Sequence, residues 1–384
     1  MCILVLTEHF LPSVGGSITW LLNTYGRFSP DEVFLLASSQ TGDHEADAKL
    51  PFAVKRVSMH MGDWDPTVPA SLWRYLHIIR QAYNVCRQAG IQQIHCAKVL
   101  PEGLVAYSLR LLYNIPYLLY AHGEEIQTGM TSRKFRWLLP RIYRGASAII
   151  ANSNNTMQLL KGFGVPSNKI HIVHPGVDLR IFNRTPEVGQ AVRQRFNLGE
   201  APLLLTVGRL QRRKGHDMVI KALARIHGAI PTVKYLIVGS GEELPRLQHL
   251  CAESGTESQV IFAGKVPDDE LSSYYAASDV FIMPNREING DIEGFGMVFL
   301  EANAACKPVI GGLSGGTADA IVDGVTGLRV DGENVEAIAA AAIQLLSNRE
   351  FAREMGERGY RRVKHEFHWE TIVERTRIIA GSIQ

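Results

Sequence analysis

Short apolar runs alternate with stretches of helical spacing along nearly the whole chain, and this alternation restricts the possible folds more than any other feature. Cys2–Leu6 is a continuous apolar run, followed by the turn Gly15-Gly16 and a helical pattern through Ile18, Leu21, Leu22 and Tyr25. Strand-like runs follow at Glu32–Ala37, Gln93–Cys96, Tyr117–Tyr120, Ser147–Ala151 and Ile170–Val173. After His174-Pro-Gly-Val-Asp178 the pattern loosens. Residues 180–200 are polar, contain Pro186, Gly189 and Gly199, and read as a connection between domains. The alternation then restarts, with strands expected at Pro202–Val207, Lys234–Val238, Val260–Phe262, Asp279–Met283 and Lys307–Ile310. Helices are expected at Gly215–His227, Glu242–Glu253, Asp268–Ala277, Phe295–Cys306, Val335–Leu346 and Phe351–His365. Strands that are apolar throughout and separated by helices imply parallel sheets buried on both faces. With 384 residues the chain is also too long for one ordinary core. Two α/β halves of similar size follow, each expected to bind ligands beyond the carboxyl ends of its strands.

Composition removes several classes of function. Hydrophobic content of 46% and charged content of 20% are globular values. A formal charge of +2 gives no electrostatic reason to expect a nucleic-acid partner. The charge is uneven: residues 1–185 carry a net +6 and residues 186–384 a net −4, so the first half is the one suited to anionic surfaces. Five cysteines without a CxxC pair suggest reduced thiols in a cytoplasmic chain rather than disulfides or a zinc site. The start, MCILVLTEHF, lacks a basic n-region, so no signal peptide is expected. The most apolar long stretch, residues 99–122, is broken by Glu102, Arg110 and Pro116, so no spanning helix is expected.

Three groups of residues could carry chemistry. Arg209 and Lys214 stand in GRLQRRKG, after a strand and before a helix. Two cations beside a helix N-terminus suit a diphosphate, although Arg212 and Arg213 also allow a solvated basic turn. In EGFGMVFLE, Glu293 and Glu301 bracket a Gly-Phe-Gly turn. A helix starting near Phe295 would present the amides of Gly296, Met297 and Val298 to an anion, and a carboxylate suits sugar hydroxyls because it only accepts hydrogen bonds. The bland reading of this stretch is a helix entry with acids complementing its dipole. His122, in HGEE at the end of a strand, could polarise a reacting group, or be an ordinary structural histidine. Gly15-Gly16 and Gly239-Ser-Gly241 each lack the third glycine of a dinucleotide fingerprint. Asp63-Trp-Asp65 lies in a Gly/Pro loop and reads as a chance DxD. Residues 133–144 hold five basic residues, no acid and interleaved aromatics. They fit either an anionic membrane surface or a domain helix with outward arginines, with Pro140 interrupting any long amphipathic helix.

Taken together, EGFGMVFLEANAACKPVIGGLSGG resembles the signature of retaining glycosyltransferases of the GT-B fold, family 4, whose motif of two glutamates separated by seven residues is met by Glu293 and Glu301. The resemblance extends to Gly15-Gly16, HGEE at 122–125, Ala151-Asn-Ser153, His174-Pro-Gly-Val-Asp178, VGSGEE at 238–243, FAGKVP at 262–267 and DGVTGLRV at 323–330. It implies two Rossmann-like α/β domains facing each other across a cleft. Residues 1–183 would take the acceptor, residues 184–367 the donor, and a helix within 368–384 would cross back to the first domain. It further implies that Arg209 and Lys214 hold the donor diphosphate and that Glu301 binds the ribose. Glu293 would hold sugar hydroxyls, and Gly294, Phe295, Gly296, Met297 and Val298 would lie along sugar and phosphate. His122 would reach the donor sugar, Gly16 would lie near the phosphates, and the backbone at Lys265 and Val266 would meet the base. The implied reaction moves a hexose of mannose or glucose type from a GDP- or UDP-linked sugar to a hydroxyl of a saccharide or lipid-linked acceptor. The setting would be envelope polysaccharide or glycolipid synthesis, without a metal or other cofactor, in the cytoplasm or peripheral at the inner membrane face. The departure is a longer loop, residues 285–292, before Glu293. A nucleotide-sugar epimerase of the same fold, a NAD-dependent dehydrogenase and a non-catalytic sugar-nucleotide-binding protein remain as rivals at this stage.

Overall fold

The strands form where the apolar runs demand them. In the computed structural model, which describes residues 1–60, 65–131, 135–182 and 186–383, each half of the chain builds one parallel sheet. The chain divides into two units: Met1–Pro175 with Trp369–Gln384, and Gly176–His368. The expected boundary, 183/184, lies outside the described residues.

The first unit has seven strands: β1 Ile3–Thr7, β2 Val33–Ser38, β3 Ala53–Val57, β4 Gln93–Cys96, β5 Tyr117–Ala121, β6 Ala148–Ala151 and β7 Ile170–Ile172. Their order is β3-β2-β1-β4-β5-β6-β7, all parallel. Helices Pro69–Gln88, Leu104–Tyr113 and Phe135–Gly145 pack on the sheet through Tyr75, Ile78, Val105, Leu109, Leu139 and Ile142. The last helix continues through Pro140, contrary to the expected break. Burial of Leu138, Leu139, Ile142 and Tyr143 offsets the one main-chain bond a proline removes. The C-terminal helix Trp369–Gly381 is part of this unit and packs on helix Gly16–Tyr25. Arg377 Nη1 holds Glu32 Oε2 at 2.9 Å, and Gln93 Nε2 donates to Ala380 O at 3.2 Å. Inside, Tyr25 Oη bridges His95 Nδ1 at 2.6 Å and Tyr120 Oη at 3.1 Å.

The second unit has six strands: β8 Leu203–Val207, β9 Lys234–Val238, β10 Val260–Gly264, β11 Val280–Met283, β12 Val309–Gly312 and β13 Gly327–Val330, in the order β10-β9-β8-β11-β12-β13. Every residue of β8, β11 and β12 is buried, because helices cover both faces. Residues 180–200 are not a bare linker. Helix Pro186–Arg195 lies there and packs on helix Leu271–Ala277, with Val192 and Leu198 buried. A proline is tolerated at the first helical position. Gly189 lets the two helices touch, since a Cβ there would lie 2.6 Å from the Ala277 backbone nitrogen. In each sheet the direction of strand succession reverses beside the first strand, between β1 and β4 and between β8 and β11. Open α/β sheets bind ligands at that reversal, beyond the carboxyl ends of the strands.

Candidate active site

Two loops meet at the reversal in the second sheet. One follows β8 and runs through Gly208–Gln211 into the single turn Arg212–Lys214. Gly215, at φ +79°, then starts helix His216–Ala229, and a Cβ there would come 2.3 Å from the Pro284 carbonyl oxygen. The other loop follows β11 and carries residues 284–296 into helix Met297–Ala304. The close Gly215–Pro284 approach keeps the two loops side by side.

Glu293 is buried, and one of its oxygens, Oε2, accepts from Lys214 Nζ at 2.5 Å and from Arg213 Nη1 at 2.7 Å. Its Oε1 accepts no hydrogen bond among the described residues. Burial alone would push this carboxyl up, but the Lys214 and Arg213 charges outweigh it and bring it down to about 2. The same burial draws Lys214 below the ordinary lysine range, with Glu293 opposing the shift. Gly316 N–H donates to Glu293 O at 2.8 Å, and Gly315, at φ +70°, leaves no room for a Cβ above that carbonyl.

The helix after Glu293 starts two residues later than expected. Gly296 caps it at φ +92°, where a Cβ would lie 2.6 Å from the Phe299 ring. Among the described residues no side chain caps this end, so the amides of Met297 and Val298 are left as helix-start donors of the kind that suits an anion. Phe295 is buried and Gly294 half-buried in the preceding turn. Glu301 lies one turn into the helix and accepts from Tyr275 Oη at 2.7 Å; burial raises its carboxyl. Arg209 is exposed, and its guanidinium makes no hydrogen bond or ion pair among the described residues, while its carbonyl lies 3.3 Å from His216 Nε2. Lys265 and Val266 follow β10, with Val266 partly buried against the core. Arg209, Lys214, Glu293, the 294–298 turn and Glu301 thus share one edge of the second sheet. Among the described residues no group of three His, Cys, Asp or Glu side chains could hold a metal ion.

The first unit holds the other expected residues. His122 ends β5. Its Nε2 lies 2.9 Å from Ala97 O, so that nitrogen carries the proton, and its amide donates to Glu125 Oε1 at 2.8 Å. Trp20 packs edge-on against its ring at 5.7 Å. Gly16 opens helix Gly16–Tyr25 without a side-chain cap. Asp63 and Trp64 of the DxD, and Arg133 and Lys134 of the basic segment, lie outside the described residues.

Two arrangements were not foreseen. Arg213 is not part of a solvated turn: it is buried between Glu293 and Asp291 Oδ1, the latter 3.0 Å from its Nε. The long loop before Glu293 is a tight hairpin. Ile288 and Asp291 exchange both main-chain bonds, at 3.0 and 2.9 Å, across Asn289 at φ 52° and Gly290 at φ 82°. An Asn-Gly pair is the sequence signal for such a turn. Arg213's partners are set by residues about eighty positions away, and no local signal reveals them.

The chain was compared with known proteins. The domain described as Glycosyl transferases group 1 matches residues 190–362, and Glycosyltransferase Family 4 matches residues 14–181. A GDP-mannose-dependent alpha-(1-6)-phosphatidylinositol monomannoside mannosyltransferase of Mycobacterium tuberculosis is 32% identical over 378 residues, covering 96% of this chain and 95% of the relative. The protein so described from Mycolicibacterium smegmatis is 30% identical over 374 residues, with 96% and 95% covered. Among solved structures, Anabaena HepE in complex with UDP superposes with a TM-score of 0.85 at 18% identity, over 100% of both chains. Sucrose-phosphate synthase from Thermosynechococcus elongatus gives 0.79 at 21% identity, again over 100% of both.

Proposed function

The chain belongs to the group 1, family 4 glycosyltransferases and is an enzyme of the GT-B type, and on that premise we propose that it transfers mannose from GDP-mannose to a hydroxyl of a phosphatidylinositol-type glycolipid, with retention at the anomeric carbon. The likeness over nearly the whole chain to GDP-mannose-dependent phosphatidylinositol mannoside mannosyltransferases carries the reading of donor and acceptor. The edge of the second sheet supplies groups that suit such a donor.

As the glycosidic bond breaks, negative charge gathers on the leaving diphosphate. Arg209, Lys214 and the amides of Met297 and Val298 would receive it, a reading supported by the exposed Arg209 and the uncapped helix start. Such preorganised donors act where charge develops and are the largest single contribution in many enzymes. Glu293 is ionised and offers Oε1 to a sugar hydroxyl. Glu301, oriented by Tyr275, offers its carboxyl to the ribose. Val266 lies at the strand end that would meet the base. No metal is needed for any of these contacts.

Thermal unfolding in the presence of GDP, GDP-mannose, UDP and UDP-glucose, each with and without EDTA, tests the donor. A ligand at 100 times its dissociation constant stabilises by about 2.7 kcal/mol. A shift with GDP and GDP-mannose that survives EDTA is expected. A shift only with uridine nucleotides, or only with metal added back, would overturn the donor or the metal-free reading. Release of an isomerised sugar nucleotide with no acceptor present would point to an epimerase instead.

A further inference from the structure

Glu293 has two cationic partners on the same oxygen, and their surroundings differ. Lys214 is bonded through its ammonium to Glu293 alone among the described residues. Arg213 is held from three sides. Its Nη1 donates to Glu293 Oε2 at 2.7 Å, its Nε lies 3.0 Å from Asp291 Oδ1, and its carbonyl accepts the Arg286 amide at 2.8 Å. Arg286 is itself anchored, with Nη2 donating to Asp217 Oδ2 at 2.9 Å in the first turn of helix His216–Ala229. The Asn289–Gly290 turn closes the hairpin that carries both Arg286 and Asp291. Among the described residues the remaining surroundings of Glu293 add no charge partner: Gly315 and Gly316 contribute main chain, and Glu301 is bonded to Tyr275.

We propose that Arg213 is the standing counter-charge of Glu293, a positioning residue that the Asn289–Gly290 hairpin holds in place through Asp291, so that Lys214 can turn its charge to the donor diphosphate while Glu293 stays ionised for the sugar. This rests on the reading of Glu293 as the sugar-hydroxyl acceptor. The physical reason is that a diphosphate competes for Lys214, and a buried carboxylate left with no cation would take up a proton or pull the lysine back. Arg213 cannot follow the diphosphate without breaking its contacts to Asp291 and Glu293. A guanidinium never loses its charge at working pH, which suits a permanent partner better than a second lysine would.

The test has a donor-free and a donor-dependent arm, using wild type, Arg213→Gln, Arg213→Lys, Asp291→Asn and Glu293→Gln. Without ligand, acid unfolding is followed from pH 6 to pH 3. Arg213→Gln should move the acid transition upward, and Glu293→Gln added to it should abolish that movement. With ligand, GDP and GDP-mannose affinities are compared by calorimetry. Arg213→Gln should leave GDP binding within about threefold but cut the sugar-dependent increment by about tenfold, more strongly at pH 4.5 than at pH 7, since each unit of pKa is a factor of ten. Arg213→Lys should restore part of the increment, and Asp291→Asn should fall between wild type and Arg213→Gln. Equal losses for GDP and GDP-mannose with an unmoved acid transition would make Arg213 merely structural and overturn the proposal. An acid transition that moves as described, with no binding of either nucleotide by wild type, would instead remove the donor reading and with it the sugar role of the pair.

Discussion

Arg209 and Lys214 stand five residues apart in one loop, yet their surroundings separate them. Lys214 is buried and bonded to Glu293, whereas Arg209 is exposed and its guanidinium has no protein partner among the described residues. An exposed, uncommitted guanidinium costs the fold little and is available to a phosphate. Replacing it should therefore separate activity from stability. Arg209→Ala is expected to lower kcat by about 10²–10³, the usual loss for one preorganised donor, with unfolding temperature changed by no more than about 1 °C for an exposed side chain. Steady-state kinetics at saturating donor, together with a melt, checks this; near-normal turnover would remove Arg209 from the reaction. At this scale the sequence was informative about residue type and position. A cation after a strand and a Gly-Phe-Gly turn before a helix are local patterns. The Glu293 ion pairs are not, because they join loops that only the strand order brings together.

Among the elements, two strands that the apolar runs do not reveal share a cause. β3 contains Lys55 and Arg56 and β13 contains Arg329, and each lies at one edge of its sheet. Charges on these two edge strands break the continuous apolar runs that reveal β1, β8 or β11. Helix Pro186–Arg195 is hidden in the sequence because proline and glycine usually mark loops, whereas here one stands at a helix start and the other at a helix contact. Gly189→Leu should thus destabilise the second unit by about 2–4 kcal/mol, as overpacking at a backbone contact does, lowering the denaturant midpoint; an unchanged midpoint would mean the two helices can part freely. The buried Tyr25–His95–Tyr120 network offers a second check. Burial lowers His95 to about 3, so it is neutral in the fold, while the unfolded chain takes up a proton below its ordinary value of 6.5. Its contribution is full above pH 6.5 and is lost as pH falls from 6.5 towards 3. His95→Gln can still accept from Tyr25 but cannot ionise. The stability gap between wild type and this variant should therefore narrow on acidification from pH 6.5 to 4.5, by up to about 1.4 kcal/mol per pH unit. A constant gap in urea titrations across that range would mean that His95 does not stay neutral.

On the scale of the whole molecule, one face of the first unit combines charge and exposed apolar surface. Helices Pro69–Gln88, Leu104–Tyr113 and Phe135–Gly145 cover the same side of the sheet and contain no Asp or Glu. Their outer positions include Arg74, Arg80, Arg136, Arg141 and Arg144. Between these lie Trp73 at 73% exposure, Trp137 at 52%, Leu111 at 68% and Leu112 at 65%. Arg141 stacks on Trp137 at 5.1 Å. Single exposed apolar side chains need no explanation, but tryptophans and leucines set among arginines on adjoining helices match an anionic lipid surface. None of the described helices is long and apolar enough to cross a membrane, so the contact we propose is peripheral. If the proposed glycolipid acceptor holds, this contact would bring the enzyme to the surface where that acceptor lies. Flotation with vesicles containing anionic lipid should show binding at low salt that falls steeply as the Debye length shrinks from about 10 Å at 0.1 M to about 3 Å at 1 M salt. Trp73→Ser with Trp137→Ser should weaken what salt does not, because indole rings anchor at the headgroup level. Binding to neutral vesicles of equal strength would assign the contact to apolar surface alone. No binding to anionic vesicles at low salt would mean that this face meets a partner other than lipid.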